Sequence, residues 1–264
     1  MENQMEIVIL PDSAEVGRVA ASVIADVVAR KPDGALGLAT GSSPLAIYDE
    51  LARRAAAGEL DFSRMRGFAL DEYVGLDYAH PESYHAVIDR TVTKPLGMDP
   101  ELVSVPDGLA QDVPAACAAY EAAIDAAGGI DVQILGIGAN GHIGFNEPTS
   151  SLASRTRIKT LTPKTRADNA RFFDSPEAVP THCVTQGLGT ILRARRLVLV
   201  AQGEAKAEAI AAAVEGPVSA SCPASVLQLH EHATVVIDEG AASRLHNADY
   251  YRYTWANKPE WQRY

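Results

Sequence analysis

Three short stretches hold the residue types that could move protons or seat a charged ligand. In Thr40-Gly41-Ser42-Ser43, hydroxyls and free backbone N–H groups stand where a helix begins, which makes a cradle for phosphate. The stretch lacks the lysine of a triphosphate-binding loop, so a nucleoside triphosphate is not indicated. Alone it would equally suit a capped strand-to-helix turn. In Asp71-Glu72-Tyr73, an acid directly follows an apolar run and could face a ligand crevice as a general base. A solvated loop acid or a helix cap would look the same. The third stretch runs from Gly136 to Pro148. Its glycines allow close backbone approach to a ligand, His142 is a proton carrier near neutrality, and Glu147 is near enough to orient or tune it. Gly136, Gly138 and Gly141 formally satisfy G-x-G-x-x-G. A dinucleotide fingerprint would continue into a packed helix, whereas His142 and a second polar group follow here, and the ribose-binding acid has no clear place. No cofactor and no metal are therefore expected.

The whole chain narrows the ligand. It has 264 residues, 47% hydrophobic and 22% charged, an ordinary globular composition. With 23 Lys+Arg against 34 Asp+Glu the net charge is -11, which works against binding nucleic acid or an anionic membrane. An anionic small ligand must then be caught by a local cationic pocket. Arg155, Arg157, Lys159, Lys164, Arg166 and Arg171 concentrate positive charge, and Lys206 opens a helix after the apolar run Leu197–Ala201. Such runs are usually solvated faces, but a phosphosugar needs at least one such group. Cys117, Cys183 and Cys222 are odd in number and far apart, without the spacing of a disulfide framework or zinc site; Cys117 falls on an apolar helical stripe. Residues 1–10 read as a lead-in to a first strand rather than a signal peptide, and no apolar run is long enough to span a membrane, so a cytoplasmic location is expected.

The positioning elements follow from periodicity. Ile7–Leu10, Ala35–Ala39, Gly67–Leu70, Asp131–Ile137, Leu197–Val200 and Thr234–Ile237 read as strands. Asp12 with Glu15 resembles a capping box ahead of Val16, Ala20, Val23, Ile24, Val27 and Val28 at helical spacing. Pro44 sits near a first helical position, and Val113–Ile124 is a helix stopped by Gly128-Gly129. Continuous apolar strands separated by helices predict a Rossmann-like α/β fold, an open, mostly parallel sheet with helices on both faces. One domain over residues 1–264 is the simplest organisation, with a small lid segment at about 160–185. The aromatic tail Tyr250–Tyr264 packs on the body or on a neighbour. In such sheets ligands sit beyond the carboxyl ends of the strands, where all three polar stretches fall.

Longer motifs carry a family resemblance. Leu70–Leu76, then His80–Tyr84, Gly141–Pro148, Ser150–Leu161, Ala213–Pro217 and Leu227–His230 together resemble the glucosamine-6-phosphate deaminases, over about Leu36 to Glu239. The resemblance implies conversion of glucosamine 6-phosphate and water to fructose 6-phosphate and ammonia. It implies that His142 opens the sugar ring, that Asp71 takes the C2 proton and returns it at C1, and that Glu147 holds and tunes His142. The phosphate would lie on Thr40, Gly41, Ser42 and Ser43, helped by Arg171 and Lys206. Many members carry Asp where this chain has Asn140; the amide is expected to orient the imidazole without supplying charge.

Some members are hexamers activated by N-acetylglucosamine 6-phosphate, through residues matching Ser150, Ser151, Arg157, Lys159 and Thr160. The N-terminus and Tyr250-Tyr251-Arg252-Tyr253 depart from that pattern. A homo-oligomer, hexameric or smaller, is thus one expectation. The competing functions are a 6-phosphogluconolactonase, which shares the phosphate loop and a Gly-His motif, and a non-catalytic sugar-phosphate sensor, which would have little need of Asp71, His142 and Glu147 together.

Overall fold

The apolar runs become strands buried on both faces. The computed structural model describes residues 4–262 and 264. Its strands are β1 (Gln4–Leu10), β2 (Ala35–Leu38), β3 (Arg66–Ala69), β4 (Asp71–Tyr73), β5 (Val103–Ser104), β6 (Val132–Leu135), β7 (Arg157–Thr160), β8 (His182–Thr185), β9 (Leu197–Ala201) and β10 (His232–Asp238). Seven of them form a sheet in the order β1-β10-β9-β6-β2-β3-β5, every pairing parallel. All residues of β2, β6 and β9 are buried, which requires helices over both faces. Those helices are α1 (Ser13–Arg30), α2 (Leu45–Ala56), α3 (Tyr84–Ile88), α4 (Lys94–Leu96), α5 (Val113–Ala126), α6 (Pro163–Asn169), α7 (Leu188–Ile191), α8 (Ala207–Val214), α9 (Glu239–Ala242) and α10 (Ala248–Ala256), with a π-helical turn joining α3 to α4. None of them is long and apolar enough to cross a membrane.

Local chemistry sets the boundaries. Asp12 caps α1, its Oδ1 accepting the Glu15 N–H at 2.9 Å. Glu15 turns to Arg18 instead of back to the cap, so only half of the capping box forms. Cys117 is buried, as its stripe predicts. The tail packs on the body: Tyr264 Oη donates to Glu6 Oε2 at 2.7 Å, and Lys258 pairs with Glu6 at 2.6 Å while lying over the Tyr264 ring. The expected lead-in before Gln4 lies outside the described residues.

Two expectations are corrected. Asp71, which follows the third strand of the large sheet, does not stand in a loop. It opens β4, which joins β8 and β7 in an antiparallel sheet of order β4-β8-β7. Leu70 is the hinge between the two sheets. Its N–H donates to Leu38 of the large sheet at 2.9 Å, and its carbonyl accepts from Gln186 at 2.7 Å beside the small one. The segment marked as a lid is also shorter than residues 160–185, because Thr160 and His182–Thr185 are paired strand residues. Residues 161–181 form the excursion between them, carrying α6 and two 3-10 turns.

The helix that follows the Thr40–Ser43 loop is placed by a close approach. A Cβ on Gly17 of α1 would stand 2.6 Å from the Ala46 carbonyl oxygen of α2, so only glycine lets the two helices meet there. Gly17→Ala should therefore cost about 1–3 kcal/mol despite the better helix propensity of alanine. Thermal unfolding measures it, and an unchanged or raised midpoint would show that the helices have room to part.

Candidate active site

Three strand ends converge on one crevice. After β2 the chain turns at Gly41, whose φ of +84° is the left-handed conformation glycine tolerates, and enters α2 with Pro44 in the cap position. The Ser43 carbonyl accepts from Gln202 Nε2 at 3.2 Å, and Ser43 lies against Gly136. The Thr40–Ser43 loop is thus held against the start of the Gly136–Pro148 stretch.

Asp71 is 5% exposed, and burial pushes its carboxyl up to about 8. The neighbouring Glu72 charge adds to the rise, and the Phe145 N–H partly opposes it. Glu72 itself is fully buried yet satisfied. It accepts the N–H groups of Tyr73, Tyr84 and His85 at 2.8–3.0 Å, and its Oε2 lies 2.8 Å from His85 Nδ1. The second acid of the Asp-Glu-Tyr motif therefore anchors α3 to β4.

The Gly-rich stretch folds over Asp71 as a series of turns. A Cβ on Gly138 would fall 2.2 Å from His142 Cε1, so this glycine exists to let the imidazole lie on the backbone. Gly144 brings the loop to within 3.5 Å of Asp71 Oδ2, measured from where its Cβ would be. His142 Nδ1 is buried and stands 3.5 Å from Glu147 Oε2, beyond a well-formed hydrogen bond, with no nearer partner. Glu147 is 2% exposed. Burial raises its carboxyl, but contacts with His142, Thr165, Thr162 and Asn140 outweigh that and hold it at about 2. The bonds are explicit: Asn140 Nδ2 donates to Oε2 at 2.7 Å, and Thr162 donates to Oε1 from its backbone at 3.1 Å and its hydroxyl at 3.2 Å. The expectation that Asn140 orients the imidazole is corrected here. Its amide secures Glu147, and its carbonyl accepts the His142 backbone N–H at 3.3 Å.

The cations occupy the rim. Lys206 Nζ donates to the Ile137 carbonyl at 2.7 Å, and burial, then the nearby Arg171 charge, lowers its pKa. Arg171 is exposed on the 3-10 turn Ala170–Phe172. The other basic residues of the run have partners of their own: Arg155 with Glu121, Lys164 with Asp168, and Arg166 with the Val179 carbonyl. Of the residues matching an effector site, Ser150 and Arg157 turn inward. Ser150 Oγ donates to the Glu147 carbonyl at 2.7 Å and Arg157 Nη1 to Asn146 Oδ1 at 2.8 Å. Ser151 and Thr160 are exposed, and Lys159 is half-buried.

Sequence inspection missed Thr162, Thr165 and Tyr84 as supports of the site. A signal existed for the first two, since Thr162-Pro163 ahead of Thr165 reads as a helix cap with proline at the first position. Among the described residues no cluster of three or more His, Cys, Asp or Glu could hold a metal ion. A cleft of about 700 Å3 lined by Asp131, Arg195 and His232 lies at the opposite, amino ends of the strands and contains none of these groups. The site thus brings together a buried acid whose pKa is pushed up, a carboxylate whose pKa is held down, an imidazole beside it, and Lys206 with Arg171 nearby.

Comparison with known proteins follows the same lines. Residues 13–236 match the family described as glucosamine-6-phosphate isomerases/6-phosphogluconolactonase. A glucosamine-6-phosphate deaminase of Mycolicibacterium smegmatis is 61% identical over 259 residues, covering 98% of this chain and 99% of its own. That of Streptomyces coelicolor is 60% identical with the same coverage. The solved structure of a monomeric glucosamine-6-phosphate deaminase is similar at a TM-score of 0.89 and 42% identity, covering 91% of this chain and 100% of that one. The 6-phosphogluconolactonase of Leishmania guyanensis, at a TM-score of 0.70 and 19% identity over 90% of this chain and 97% of its own, shares the fold.

The raised Asp71 pKa has a stability consequence. Below its unfolded value near 3.8 the group is protonated in both states and costs nothing. From there to about 8 the unfolded chain releases the proton first, so burial costs progressively more, by up to about 1.4 kcal/mol per pH unit. Asp71→Asn should therefore raise the unfolding midpoint, little at pH 4 and most at pH 8 and above. A gain independent of pH would show that Asp71 is not held neutral.

Proposed function

The chain belongs to the glucosamine-6-phosphate isomerase/6-phosphogluconolactonase family, and within it we propose that this protein is the enzyme that isomerises and deaminates D-glucosamine 6-phosphate to D-fructose 6-phosphate and ammonia. The observation that carries this is identity of 61% across nearly the whole chain with a deaminase, against 19% with a lactonase of the same fold. A non-catalytic sensor is disfavoured because Asp71, His142 and Glu147 are buried or half-buried in one crevice at the strand ends.

The chemistry divides between the two carboxylates. His142 carries a proton from the C1 hydroxyl to the ring oxygen and opens the pyranose; Glu147, anionic beside it, favours the imidazolium that forms in between. Ionised Asp71 takes the proton from C2 while the substrate's ammonium gives one to the C1 carbonyl oxygen, leaving an enolamine, and Asp71 then returns its proton to C1. The product has C2 doubly bonded to nitrogen. Water adds to C2, the C2–N bond breaks, and ammonia leaves with the ketose behind. Burial supports the Asp71 role, because a weakly acidic C2 proton needs a base shielded from water and held close. Thr40, Gly41, Ser42 and Ser43 take the phosphate, with Lys206 and Arg171 as counter-charges. A charged sugar phosphate does not cross a membrane unaided, so we place the enzyme in the cytoplasm.

Ammonia release from glucosamine 6-phosphate, with hydrolysis of 6-phosphogluconolactone alongside, tests the function; lactone hydrolysis without ammonia would replace it. Asp71→Asn should abolish turnover and leave substrate binding nearly intact, whereas a near-normal rate would remove Asp71 from the mechanism. Lys206→Ala should mainly raise KM, since phosphate binding is shared by ground and transition states. Because Asp71 must ionise to act, the acid limb of kcat/KM should have its midpoint near pH 8; a midpoint near 4 would describe an ordinary exposed carboxylate. We extend the proposal to an effector site at Ser150, Ser151, Arg157, Lys159 and Thr160 in a homo-oligomer. The inward bonds of Ser150 and Arg157 support it by ending on Glu147 and Asn146. N-acetylglucosamine 6-phosphate should shift the saturation curve, and an unmoved curve would remove that site.

A further inference from the structure

The segment that carries Arg171 is held by its own bonds, Arg166 to the Val179 carbonyl among them, and by one side-chain tether to the small sheet. Arg171 sits on a one-turn 3-10 helix at the end of α6, exposed, in a part of the excursion 161–181 that belongs to neither sheet. Its tether is one residue pair away. Asn169 Nδ2, at the last residue of α6, donates to the Tyr73 hydroxyl at 2.9 Å. Phe173, on the other side of the turn, packs edge-on against the Tyr73 ring, with centroids 5.6 Å apart, and stacks on His80. Ala170 and Phe173 complete a small apolar cluster built on Tyr73, Phe145, Leu161, Val179 and Cys183.

Tyr73 in turn is fixed by the catalytic strands. It lies two residues after Asp71 in β4, 2% exposed, paired with Cys183 of β8. Tyr84 donates a long hydrogen bond to its hydroxyl at 3.5 Å, and the Tyr84 hydroxyl also reaches the Thr40 side chain of the phosphate loop. Burial drives both phenols up, Tyr73 to about 12, so both hydroxyls stay protonated across the working range. Thr40, Tyr84, Tyr73 and Asn169 therefore form a file of hydrogen-bonding groups from one phosphate-binding element to the other.

We propose that Tyr73 is a positioning residue for phosphate binding: through Asn169 it sets where Arg171 stands opposite Lys206, and Tyr84 registers that placement to the Thr40 loop. The hydroxyl of Tyr73 is taken up by Tyr84 and Asn169, and it acts through Arg171. This rests on the phosphosugar reading above, since it gives Arg171 its purpose.

The test is a cycle of variants assayed for ammonia release from glucosamine 6-phosphate. Tyr73→Phe keeps the ring in its cluster and removes only the hydroxyl. It should raise KM about three- to tenfold, the worth of one hydrogen bond, with much less change in kcat. In an Arg171→Ala background the same change should have no further effect on KM. Asn169→Ala removes the bond from the other side and should reproduce the KM rise without adding to Tyr73→Phe. An unchanged KM in Tyr73→Phe, a fall in kcat alone, or an equal KM rise with and without Arg171 would each overturn the proposal. Calorimetric binding of inorganic phosphate to wild type, Tyr73→Phe, Arg171→Ala and the Tyr73→Phe/Arg171→Ala double variant keeps the two claims apart. Wild-type protein that binds phosphate but releases no ammonia would refute the enzymatic function, while the pattern of phosphate affinities would still decide whether Tyr73 works through Arg171.

Discussion

Two carboxylates share one buried crevice, and their surroundings drive them in opposite directions. Asp71 meets mainly apolar cover and the charge of Glu72, so its proton is held. Glu147 meets donors on each oxygen, so its charge is held. Neither state could be exchanged for the other without cost, because an unpaired charge in either place would lack water and a neutral Glu147 would waste its donors. Proton traffic needs such an asymmetry: one group able to give up and take back a proton, another that does not titrate at all. Much of the architecture serves to keep the two environments distinct.

The second sheet is how that separation is built. A parallel sheet alone would deliver Asp71 on a loop at its carboxyl edge. Leu70 instead hands the chain from one sheet to the other, so Asp71 is fixed by a ladder to Thr185, whose hydroxyl also accepts the Phe145 N–H at 3.1 Å. The same small sheet brackets the 161–181 excursion, whose first helix begins on Glu147 through Thr162 and ends on Tyr73 through Asn169. α6 thus spans from Glu147 to Tyr73, two residues beyond Asp71 on β4. The lid-like segment is part of the site's framework as well as its cover.

The large sheet was legible because its strands are buried on both faces and so spell continuous apolar runs, as in β6 and β9. The turns at Thr40–Ser43 and in the Gly-His stretch were legible because glycine, proline and hydroxyl residues mark a turn locally. The small sheet was not. Asp71-Glu72-Tyr73 and Arg157-Ile158-Lys159-Thr160 carry no apolar run, and their pairing with β8 joins residues far apart in the chain. The partners of Glu147 and Tyr73 were hidden for the same reason, since Thr162 is 15 residues from the one and Asn169 is 96 from the other. Asn140 was read as orienting the imidazole, whereas its amide bonds Glu147. Which of two nearby groups an amide serves depends on a turn geometry that spacing does not specify.

Asn140 is also the residue on which the chemical lifetime of the site depends. It precedes Gly141, and in a loose chain such a pair loses its amide when the glycine nitrogen attacks the side-chain carbonyl carbon. Ammonia leaves, and water opens the cyclic imide to aspartate or isoaspartate. Here the attacking nitrogen is occupied, its hydrogen bonded to the Gly138 carbonyl at 2.9 Å, and the amide that would leave is held by Glu147 at 2.7 Å. The bonds that shape the crevice therefore also keep this amide from ageing. Were the loop to loosen, an isoaspartate formed there would lengthen the backbone beside His142 and change the site without any change in the gene.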